Sequence, residues 1–365
     1  MGAAVIVALS GGVDSAVAAL LLRRAGLAVE ALHMSNWDAD EDGYCTAAAD
    51  WQAAREVAAE LAIPLHRVSF AAEYRERVFR HFLDEYAAGR TPNPDVLCNR
   101  EVKFGVCLDY VRRLGGAQLA TGHYARLAQA PTRTRLLRAR DRRKDQSYFL
   151  QQVAPAALAA ALFPIGELAK VEVRELARHA GLPVYDRPDS TGICFIGERP
   201  FREFLAGYLA ATPGPIRTPA GEQLGSHAGL MFHTIGQRSG LGIGGTREHA
   251  QAPWYVAAKD LARNTLVVVQ GHDHPLLYSG RLLTGPVSWL APPPPADWFE
   301  CLLQVRHRQP PVPARVRREG EGTVIELPTP LRAAAPGQYA AFYDGEECLG
   351  GGVIVAADCA AQRYN

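Results

Sequence analysis

The sequence predicts an α/β chain in three parts: an N-terminal domain built on a parallel sheet, a small central mixed α+β domain, and a C-terminal β-barrel. Short apolar runs alternate with helix-like segments over residues 4–121, which is typical of a parallel sheet with helices on both faces. Beyond about residue 212 the chain becomes rich in glycine, proline and strand-like pieces, and from Gly280 onward only short strands are expected. The predicted domains are residues 1–205, 206–278 and 279–365.

The first half of the chain contains four predicted strands and six predicted helices. The strands are short apolar runs, as expected when both faces of a sheet are buried. Gly26 marks the end of the first helix and Pro64 closes the second. The predicted strands are 4–9, 27–33, 65–70 and 117–121. The predicted helices are 13–25, 47–62, 73–88, 101–114, 149–162 and 171–179.

Beyond about residue 212 the chain is predicted to contain many short strands. Trp254–Ala258 and Thr265–Val269 have the spacing of a hairpin. Asp344-Gly345 is a turn signal between two later strands. The remaining predicted strands are 299–306, 315–318, 323–326, 339–343 and 352–355.

Composition limits the classes to which the protein can belong. The 365 residues carry 39 Lys and Arg against 38 Asp and Glu, so any nucleic-acid binding needs local patches. No stretch approaches the roughly 20 apolar residues of a membrane span, and Met1–Leu9 lacks the basic region of a signal peptide. Seven scattered cysteines do not suggest a disulfide framework. We therefore expect a cytoplasmic protein, monomeric by default.

The segment Ser10–Ser15, with the sequence Ser-Gly-Gly-Val-Asp-Ser, lies between the first predicted strand and the first predicted helix. Its two glycines let the backbone approach a polyanion, and the helix N-terminus adds unpaired N–H groups. Asp14 is suited to hold Mg²⁺ beside phosphates. The segment is neither a Walker A loop nor a dinucleotide fingerprint. An ordinary tight turn before a helix is the alternative.

Two cysteines, Cys98 and Cys194, lie in predicted loops rich in Gly, Pro and Ser. We expect Cys98 close to the N-terminus of a helix that starts near Asn99, a position that lowers the pKa of a thiol. Asp95 is a candidate acid or base. The pair lacks the clustered spacing of a zinc site and suits disulfide exchange. The alternative, a buried thiol that packs as a small hydrophobe, is preferred for Cys45, Cys107, Cys301, Cys348 and Cys359.

Cations cluster in two stretches of the chain. One spans Arg133–Lys144 and the other spans Arg306–Arg318. Two such patches suit the phosphate backbone of a folded RNA, and solvated arginine faces are the alternative. For His272-Asp273-His274 a hydrophilic turn is preferred to a metal site, because no third ligand is in view.

Together these motifs resemble the bacterial tRNA-specific 2-thiouridylase (MnmA) family. The Ser10–Ser15 segment resembles the PP-loop of ATP pyrophosphatases, whose fold is adenine-nucleotide α-hydrolase-like. Ala16, Ser35, His233 and His307 depart from the usual residues of the family. The matching blocks include SGGVDS (10–15), HMSNW (33–37), GRTPNPDVLCN (89–99), ATGHYA (120–125), KDQSYFL (144–150), DSTGICFIGER (189–199), GLGIGG (240–245) and PGQ (336–338).

The resemblance implies an ATP site and a tRNA site. Its partners would be the tRNAs for Lys, Glu and Gln, with ATP and Mg²⁺, and a cysteine desulfurase or relay protein as the persulfide donor. It assigns nucleotide binding to Ala8, Leu9, Ser10, Gly11, Gly12, Val13, Asp14, Ser15, Met34 and Gly122. It assigns tRNA contacts to Asn93, Pro94, Asp95, His123, Lys144, Asp145, Gln146, Arg306, His307 and Gln338.

The implied reaction has two steps. O2 of the wobble uridine attacks the ATP α-phosphate and pyrophosphate leaves, so the oxygen on C2 becomes part of a good leaving group. A persulfide on Cys194 then delivers sulfur to C2 and AMP leaves, while Cys98 forms a disulfide with Cys194 or attacks the persulfide to free sulfide. Asp95 is the implied acid/base helper. The alternatives are another PP-loop adenylating enzyme, such as an amidotransferase-type synthetase, and a non-catalytic RNA-binding protein that holds ATP.

Overall fold

The computed structural model describes residues 4–37, 47–189, 200–243, 252–292 and 297–359. Its first sheet is parallel, as predicted. The strands of this sheet are β1 (Val5–Ala8), β2 (Val29–Ser35), β3 (Leu65–Ser69), β4 (Gln118–Ala120) and β7 (Ala161–Leu162). They lie in the order β3-β2-β1-β4-β7. β1 is therefore central, and the loops that follow β1, β2 and β4 meet at one edge.

Both faces of this sheet are buried. Ile6 and Ala8 of β1 belong to one apolar core, whereas Val5 and Val7 belong to another on the opposite side. This alternation follows from the two-residue period of a strand. The prediction of a parallel sheet covered on both faces is confirmed.

The predicted helices are confirmed except at residues 149–162 and at the start of the helix predicted over 101–114, which lies at Pro94. Residues 149–162 are not one helix: Pro155 disfavours helical backbone at Ala154, which is extended with ψ 140°. The chain therefore makes two short helices and strand β7 there. The helices are α1 (Val13–Arg24), α2 (Ala47–Glu60), α3 (Ala71–Tyr74), α4 (Arg80–Ala87), α5 (Pro94–Leu97), α6 (Cys107–Arg113), α7 (Ser147–Leu150), α8 (Pro155–Ala159), α9 (Lys170–His179) and α10 (Phe201–Ala206). The π-helical segments are Arg75–Phe79, which joins α3 to α4, and Cys98–Val106, which joins α5 to α6.

A mixed four-stranded sheet forms the centre of the chain, in the order β10-β11-β8-β9. Its strands are β8 (Gly214–Arg217), β9 (Gln223–His227), β10 (Trp254–Asp260) and β11 (Thr265–Gln270). The predicted hairpin is confirmed, because β10 and β11 pair antiparallel. Strands β8 and β9 were not predicted from the sequence. Single 3₁₀ turns lie at Leu230–Phe232 and Pro275–Leu277.

The C-terminal strands close into a barrel, as predicted. They are β12 (Tyr278–Trp289), β13 (Phe299–Gln304), β14 (Val312–Glu319), β15 (Gly322–Arg332), β16 (Tyr339–Asp344) and β17 (Glu347–Cys359). β12 pairs with both β15 and β17, which closes a six-stranded ring. Gly345 has φ +55° in the turn between β16 and β17, as the Asp-Gly signal predicts.

A hairpin from the N-terminal part extends the barrel sheet. Its strands are β5 (Ala125–Gln129) and β6 (Thr134–Arg138), and β6 pairs with the start of β17. From the sequence this stretch is predicted only as a basic run, because arginines dominate its composition. Thr134 and Leu136 are buried between those arginines, which is the two-residue alternation of a strand with one buried face. The domain boundaries at 205 and 278 stay a prediction.

Candidate active site

The Ser10–Ser15 loop follows the central strand β1 and leads directly into α1. Ser10 N–H donates to Ser15 Oγ at 3.1 Å, and Ser15 Oγ–H donates to the Gly12 carbonyl at 3.0 Å. Gly12 N–H donates to Ser10 Oγ at 3.3 Å. These short-range bonds fold the loop across the N-terminus of a twelve-residue helix, where free N–H groups and the helix dipole favour an anion.

Two glycines make this cradle possible. Gly11 has φ +84°, and a Cβ atom there would lie 2.4 Å from the Asp50 carbonyl oxygen. A Cβ atom on Gly122, which follows β4, would lie 2.6 Å from the backbone nitrogen of Ser15. The structure thus brings Gly122 against the loop, and Met34 lies near the end of the neighbouring strand β2. The residues assigned to the nucleotide therefore lie along one edge of the sheet.

Asp14 lies in the first turn of α1 and is held by two groups. Tyr124 Oη–H donates to Asp14 Oδ1 at 2.8 Å. Lys170 Nζ lies 2.7 Å from Oδ1 and 2.8 Å from Oδ2 of the same carboxylate. Burial first, and then the charge of Asp14, raise the pKa of Tyr124, so this tyrosine stays a neutral donor. Sequence reasoning had not assigned a role to Lys170, which carries no local motif.

Asp189 lies at the centre of a second set of charges beside the loop. Lys170 Nζ is 2.7 Å from its Oδ1 atom and Lys144 Nζ is 2.6 Å from its Oδ2 atom. Arg174 Nη2 lies 2.9 Å from Oδ1. Partial burial acts to raise the pKa of Asp189, but these donors outweigh it and lower the pKa to about 2. Lys170 thus connects the loop aspartate to Asp189.

Arg187 fixes the outside of the loop. Its Nη1 donates to the Gly11 carbonyl at 2.8 Å, and its Nη2 lies 2.5 Å from Asp50 Oδ1. The guanidinium thus ties α2 to the loop and places a cation beside it. The sequence has no local signal for this role of Arg187, because Arg187 lies 176 positions from Gly11.

Cys98 is not at the start of a helix, so the predicted position was wrong. The helix begins at Pro94, with Asn93 as its N-cap, and runs through the π-helical segment that Cys98 opens. Pro94 suits a first helical position, because its missing N–H has no partner there anyway. Cys98 is 3% exposed and lies beyond the first turn, where a helix dipole no longer acts.

Asp95 lies one turn before Cys98 on the same helix. Burial raises the pKa of Asp95, and the charges of Lys103 and His307 oppose that rise. A raised pKa makes the protonated form of a carboxyl group more accessible, which suits the predicted acid/base role.

The segment that leads to this helix is held by the other two sheets. Lys259 Nζ on β10 donates to the Gly89 carbonyl at 2.9 Å. Thr91 N–H donates to the Pro336 carbonyl at 3.0 Å, and Thr91 Oγ1 lies 3.1 Å from Thr234 Oγ1. Gln338 Nε2 donates to the Thr91 carbonyl at 2.8 Å. The central sheet and the barrel therefore both position the residues before Asp95.

Asn36 links the cysteine to the parallel sheet. It directly follows β2, next to the end of β1, and its Nδ2 donates to Cys98 Sγ at 3.9 Å. The nucleotide loop and Cys98 are therefore neighbours at the carboxyl edge of the first sheet. Cys194, Cys45 and residues 190–199 lie outside the described residues, so the predicted pairing of Cys98 with Cys194 stays a prediction.

Known proteins match the chain along nearly its whole length. The family models are the tRNA methyl transferase HUP domain over residues 3–198, the tRNA methyl transferase PRC-barrel domain over 202–270, and the aminomethyltransferase beta-barrel domain over 279–354. The tRNA-specific 2-thiouridylase MnmA of Marinobacter nauticus is 54% identical over 96% of this chain and 90% of that protein. The MnmA of Hahella chejuensis is 53% identical over 96% of each chain.

The chain belongs to the tRNA-specific 2-thiouridylase family. Among solved structures, the NMN synthetase of Francisella tularensis is similar with a TM-score of 0.34 and 19% identity, over 57% of this chain and 78% of that one. At that level of similarity the family assignment depends on the sequence matches alone.

In this 2-thiouridylase-family chain, most of the residues predicted to contact tRNA also have protein partners. Gln146 Oε1 accepts from Tyr124 N–H at 2.9 Å, and Asp145 is buried, accepting from Ala139 N–H at 2.9 Å. His123 is buried against Thr121 Oγ1 at 2.7 Å. These three residues organise the 120–150 segment, and their tRNA contacts stay a prediction.

The predicted tRNA contacts on the barrel side join sheets to one another. Arg306 Nη2 donates to the carbonyls of Ile235 and Ala333, at 3.1 and 2.9 Å. His307 Nε2 lies 2.8 Å from the Asp145 carbonyl, and burial lowers the pKa of His307. Together with Gln338 they connect the barrel to the two other sheets, and their contacts with tRNA likewise stay a prediction.

The first basic run of this thiouridylase-family protein is largely compensated by acids. Most of its cations form ion pairs with residues far away in the sequence, so its field is weaker than its composition suggests. The pairs are Arg133 and Arg135 with Glu347, Arg138 with Asp145, Arg140 with Glu172, Arg142 with Glu346, and Lys144 with Asp189. In the second run, Arg315 and Arg317 flank the Trp298 ring, at 5.4 and 5.2 Å.

Among the described residues, no group of three or more His, Cys, Asp or Glu side chains is arranged to hold a metal ion. His272 instead lies 2.7 Å from Asp273 Oδ1, and His274 Nδ1 accepts from Leu276 N–H at 3.2 Å, as expected for a turn. Within the same described ranges, no helix is long and apolar enough to cross a membrane.

Proposed function

We propose that this protein is an ATP-dependent tRNA-thiolating enzyme that places sulfur on C2 of the wobble uridine in tRNA-Lys, tRNA-Glu and tRNA-Gln. In the first step uridine O2 attacks the ATP α-phosphate and pyrophosphate leaves. In the second step a persulfide on Cys194 transfers its outer sulfur to C2. The C2–O bond breaks and AMP leaves with that electron pair.

The observation that carries the proposal is that a phosphate-binding loop and a cysteine thiol lie at the same edge of the first sheet. The Ser10–Ser15 loop fits a phosphate chain, since its backbone is open at Gly12, where an added Cβ atom would come no closer than 3.5 Å to Ser10 Oγ, and a helix N-terminus lies behind it. Asn36, at the end of the adjacent strand, contacts Cys98. A polyphosphate site beside a thiol matches an adenylation followed by sulfur transfer. The two relatives are named tRNA-specific 2-thiouridylases and match this chain over almost their whole length, which supports tRNA uridine as the substrate.

The residues of the loop also fit a magnesium-bound nucleotide. Asp14 is a half-exposed carboxylate in the first turn of α1 and faces the same side as Lys170. Mg²⁺ held there would neutralise charge on the leaving pyrophosphate. Lys170 and Arg187 place two further cations at the loop, and these add to the same electrostatic effect.

Asp95 and Cys98 carry the second half of the proposal. Burial raises the pKa of Asp95, which favours its protonated form relative to an exposed carboxyl group, and it serves as the acid/base group beside the target uridine. Cys98 attacks the Cys194 sulfur and forms the disulfide as the sulfur–sulfur bond of the persulfide breaks. The transferred sulfur keeps the bonding pair, and an external reductant must then reduce the disulfide before the next turnover.

A thiolation assay tests the proposal. The purified full chain is mixed with an unmodified tRNA-Glu transcript, Mg-ATP, a reductant, and cysteine with a cysteine desulfurase as the persulfide donor, and thiolated tRNA is detected by its retardation on a mercury-containing gel. We expect a shift that requires ATP and is lost in Cys194→Ser. Cys301→Ser is the matched control, because Cys301 is a partly exposed thiol on barrel strand β13.

The failures of this assay are distinguishable. Pyrophosphate release without a gel shift would support the adenylation step and contradict the sulfur-transfer step. No shift and no pyrophosphate would favour another PP-loop synthetase, and tRNA binding without either product would favour a non-catalytic RNA-binding protein.

A further inference from the structure

The Asn36 side chain has an unused acceptor beside the thiol of the candidate site. Its Nδ2 faces Cys98 Sγ at 3.9 Å, whereas its Oδ1 is buried and has no hydrogen-bond partner in the part of the chain that the structure describes. Nearly all buried polar atoms in proteins are paired, so an unpaired carbonyl oxygen at a reactive site points to a ligand that brings a donor.

The position of Asn36 is fixed by its neighbours. Ser35 Oγ–H donates to the Trp37 carbonyl at 3.0 Å and closes the turn after β2. The Trp37 ring packs edge-on against Phe79, with 5.0 Å between centroids, and against Tyr74 at 6.5 Å. A side chain carried on such a packed turn is pre-organised, so its acceptor is held in one place before any ligand arrives.

The chemistry of the proposed substrate supplies the missing donor. Uracil has one ring N–H, at N3, and N3 is bonded directly to C2. A base whose C2 lies within reach of the sulfur chemistry therefore has its N3–H close to Cys98, which is where Asn36 Oδ1 lies. Cytosine presents an acceptor at N3 instead, and an acceptor facing a carbonyl oxygen is repelled.

We propose that Asn36 Oδ1 accepts the N3–H of the target uracil, an inference that rests on the proposed function. Asn36 thereby selects an imide base and orients C2 toward the sulfur-transfer residues. Oδ1 is shielded from solvent in this state, so the base takes the place of the atoms that now cover it.

Asn99 provides a matched comparison. It is also a buried asparagine with an unpaired Oδ1 within the described residues, and it adjoins Cys98 in the chain. Its Nδ2, however, donates to the Phe149 carbonyl at 3.2 Å, which binds the side chain to α7. We assign to Asn99 the role of supporting the helix. We expect a substitution of Asn99 to have the same effect on binding whichever wobble base is present.

The test compares the affinity of the full chain for two tRNA-Glu transcripts, one with uridine and one with N3-methyluridine at the wobble position, without a sulfur donor. We expect wild type to prefer uridine by about tenfold or more, since a site built for a hydrogen bond rejects a ligand that lacks the donor. Asn36→Ala should bind both transcripts within about twofold of each other. Asn99→Ala and the exposed control Gln223→Ala should keep the wild-type preference.

An Asn36→Ala protein that keeps the full preference for uridine would overturn the inference, as would a loss of preference confined to Asn99→Ala. If Asn36→Ala does not fold, Asn36→Leu carries the same test, because leucine fills a similar volume without an acceptor. Thiolation by wild type is measured in parallel. The absence of thiolation would overturn the proposed function, whereas the base preference tests the role of Asn36 separately.

Discussion

The two loops at the candidate active site are built in different ways. Bonds within the Ser10–Ser15 loop connect residues at most five positions apart, and the distant residues that contact the loop, Arg187 and Lys170, belong to the same N-terminal part of the chain. Bonds that hold the Gly89–Thr91 segment come from Lys259, Thr234 and Gln338, which are more than 140 positions away. The internal shape of the first loop is therefore set by neighbouring residues, whereas the other segment takes its shape from the assembly of all three sheets.

Because of this difference, substitutions far from the site should affect the two loops differently. A change in the barrel or the central sheet should disturb Asp95 and Cys98, because the segment before them is anchored there. It should leave nucleotide binding nearly unchanged, because the first loop is held by Arg187 and Lys170 of the N-terminal part. A misplacement of about 1 Å at reacting groups can cost about a hundredfold in rate, so remote anchors have a measurable effect.

The largest expected effect comes from the local loop. Gly11→Ala places a Cβ atom 2.4 Å from the Asp50 carbonyl oxygen at a residue with φ +84°, so the loop must move. We expect tRNA-dependent pyrophosphate release to fall by about a hundredfold or more. Gly26→Ala is the matched control: it also has positive φ, +77°, but nothing lies within 4 Å. It should cost about 1 kcal/mol of stability and leave the rate intact. Equal rates for the two variants would contradict the cradle.

A glycine in the barrel tests the remote anchor. A Cβ atom on Gly337 would lie 2.8–2.9 Å from the backbone of Thr91. We expect Gly337→Ala to lower thiolation by about tenfold or more while the affinity for ATP stays within about twofold. Gly320→Ala, in the β14–β15 turn with φ +62° and no neighbour within 4 Å, should leave both unchanged. A parallel loss of ATP affinity in Gly337→Ala would remove the distinction between the two loops.

Removal of single hydrogen bonds sharpens the comparison. Gln338→Ala and Thr234→Val each delete one bond to Thr91, and each should reduce the thiolation rate about 2- to 10-fold, the worth of one hydrogen bond. The measurement is single-turnover thiolation together with tRNA affinity. If Gln338 acts only by contacting tRNA, Gln338→Ala will weaken tRNA binding and Thr234→Val will not affect thiolation.

The smallest effect concerns stability and pH. Burial lowers the pKa of Lys259 from 10.5 to about 8, so between these values the folded protein binds fewer protons than the unfolded chain. Stability relative to Lys259→Met should therefore rise as pH increases from 8 to 10.5, by at most about 1.4 kcal/mol per pH unit. Urea unfolding of both proteins across this range measures the difference. A difference that does not change with pH would mean that Lys259 titrates normally.

Much of the fold follows from short-range features of the sequence. The apolar runs predicted four strands of the parallel sheet, and Asp344-Gly345 predicted its barrel turn, because strand period and turn chemistry act over a few residues. The Ser10–Ser15 loop was predicted for the same reason: its glycines and the helix behind it are consecutive. Strand β7 was missed, because two residues that complete a sheet have no periodicity of their own.

The tertiary structure decided how distant charges and loops combine. Composition alone made Arg133–Lys144 a basic patch, yet acids up to about 200 positions away pair with it. The start of the helix at Pro94 moved Cys98 away from the expected helix end, and its role at the site stays a prediction. Lys170, Arg187 and the anchors of Thr91 acquire their roles only when three sheets come together. Sequence specifies chemistry and local shape, but Coulomb attraction and hydrogen bonding depend on distances that only the folded chain sets.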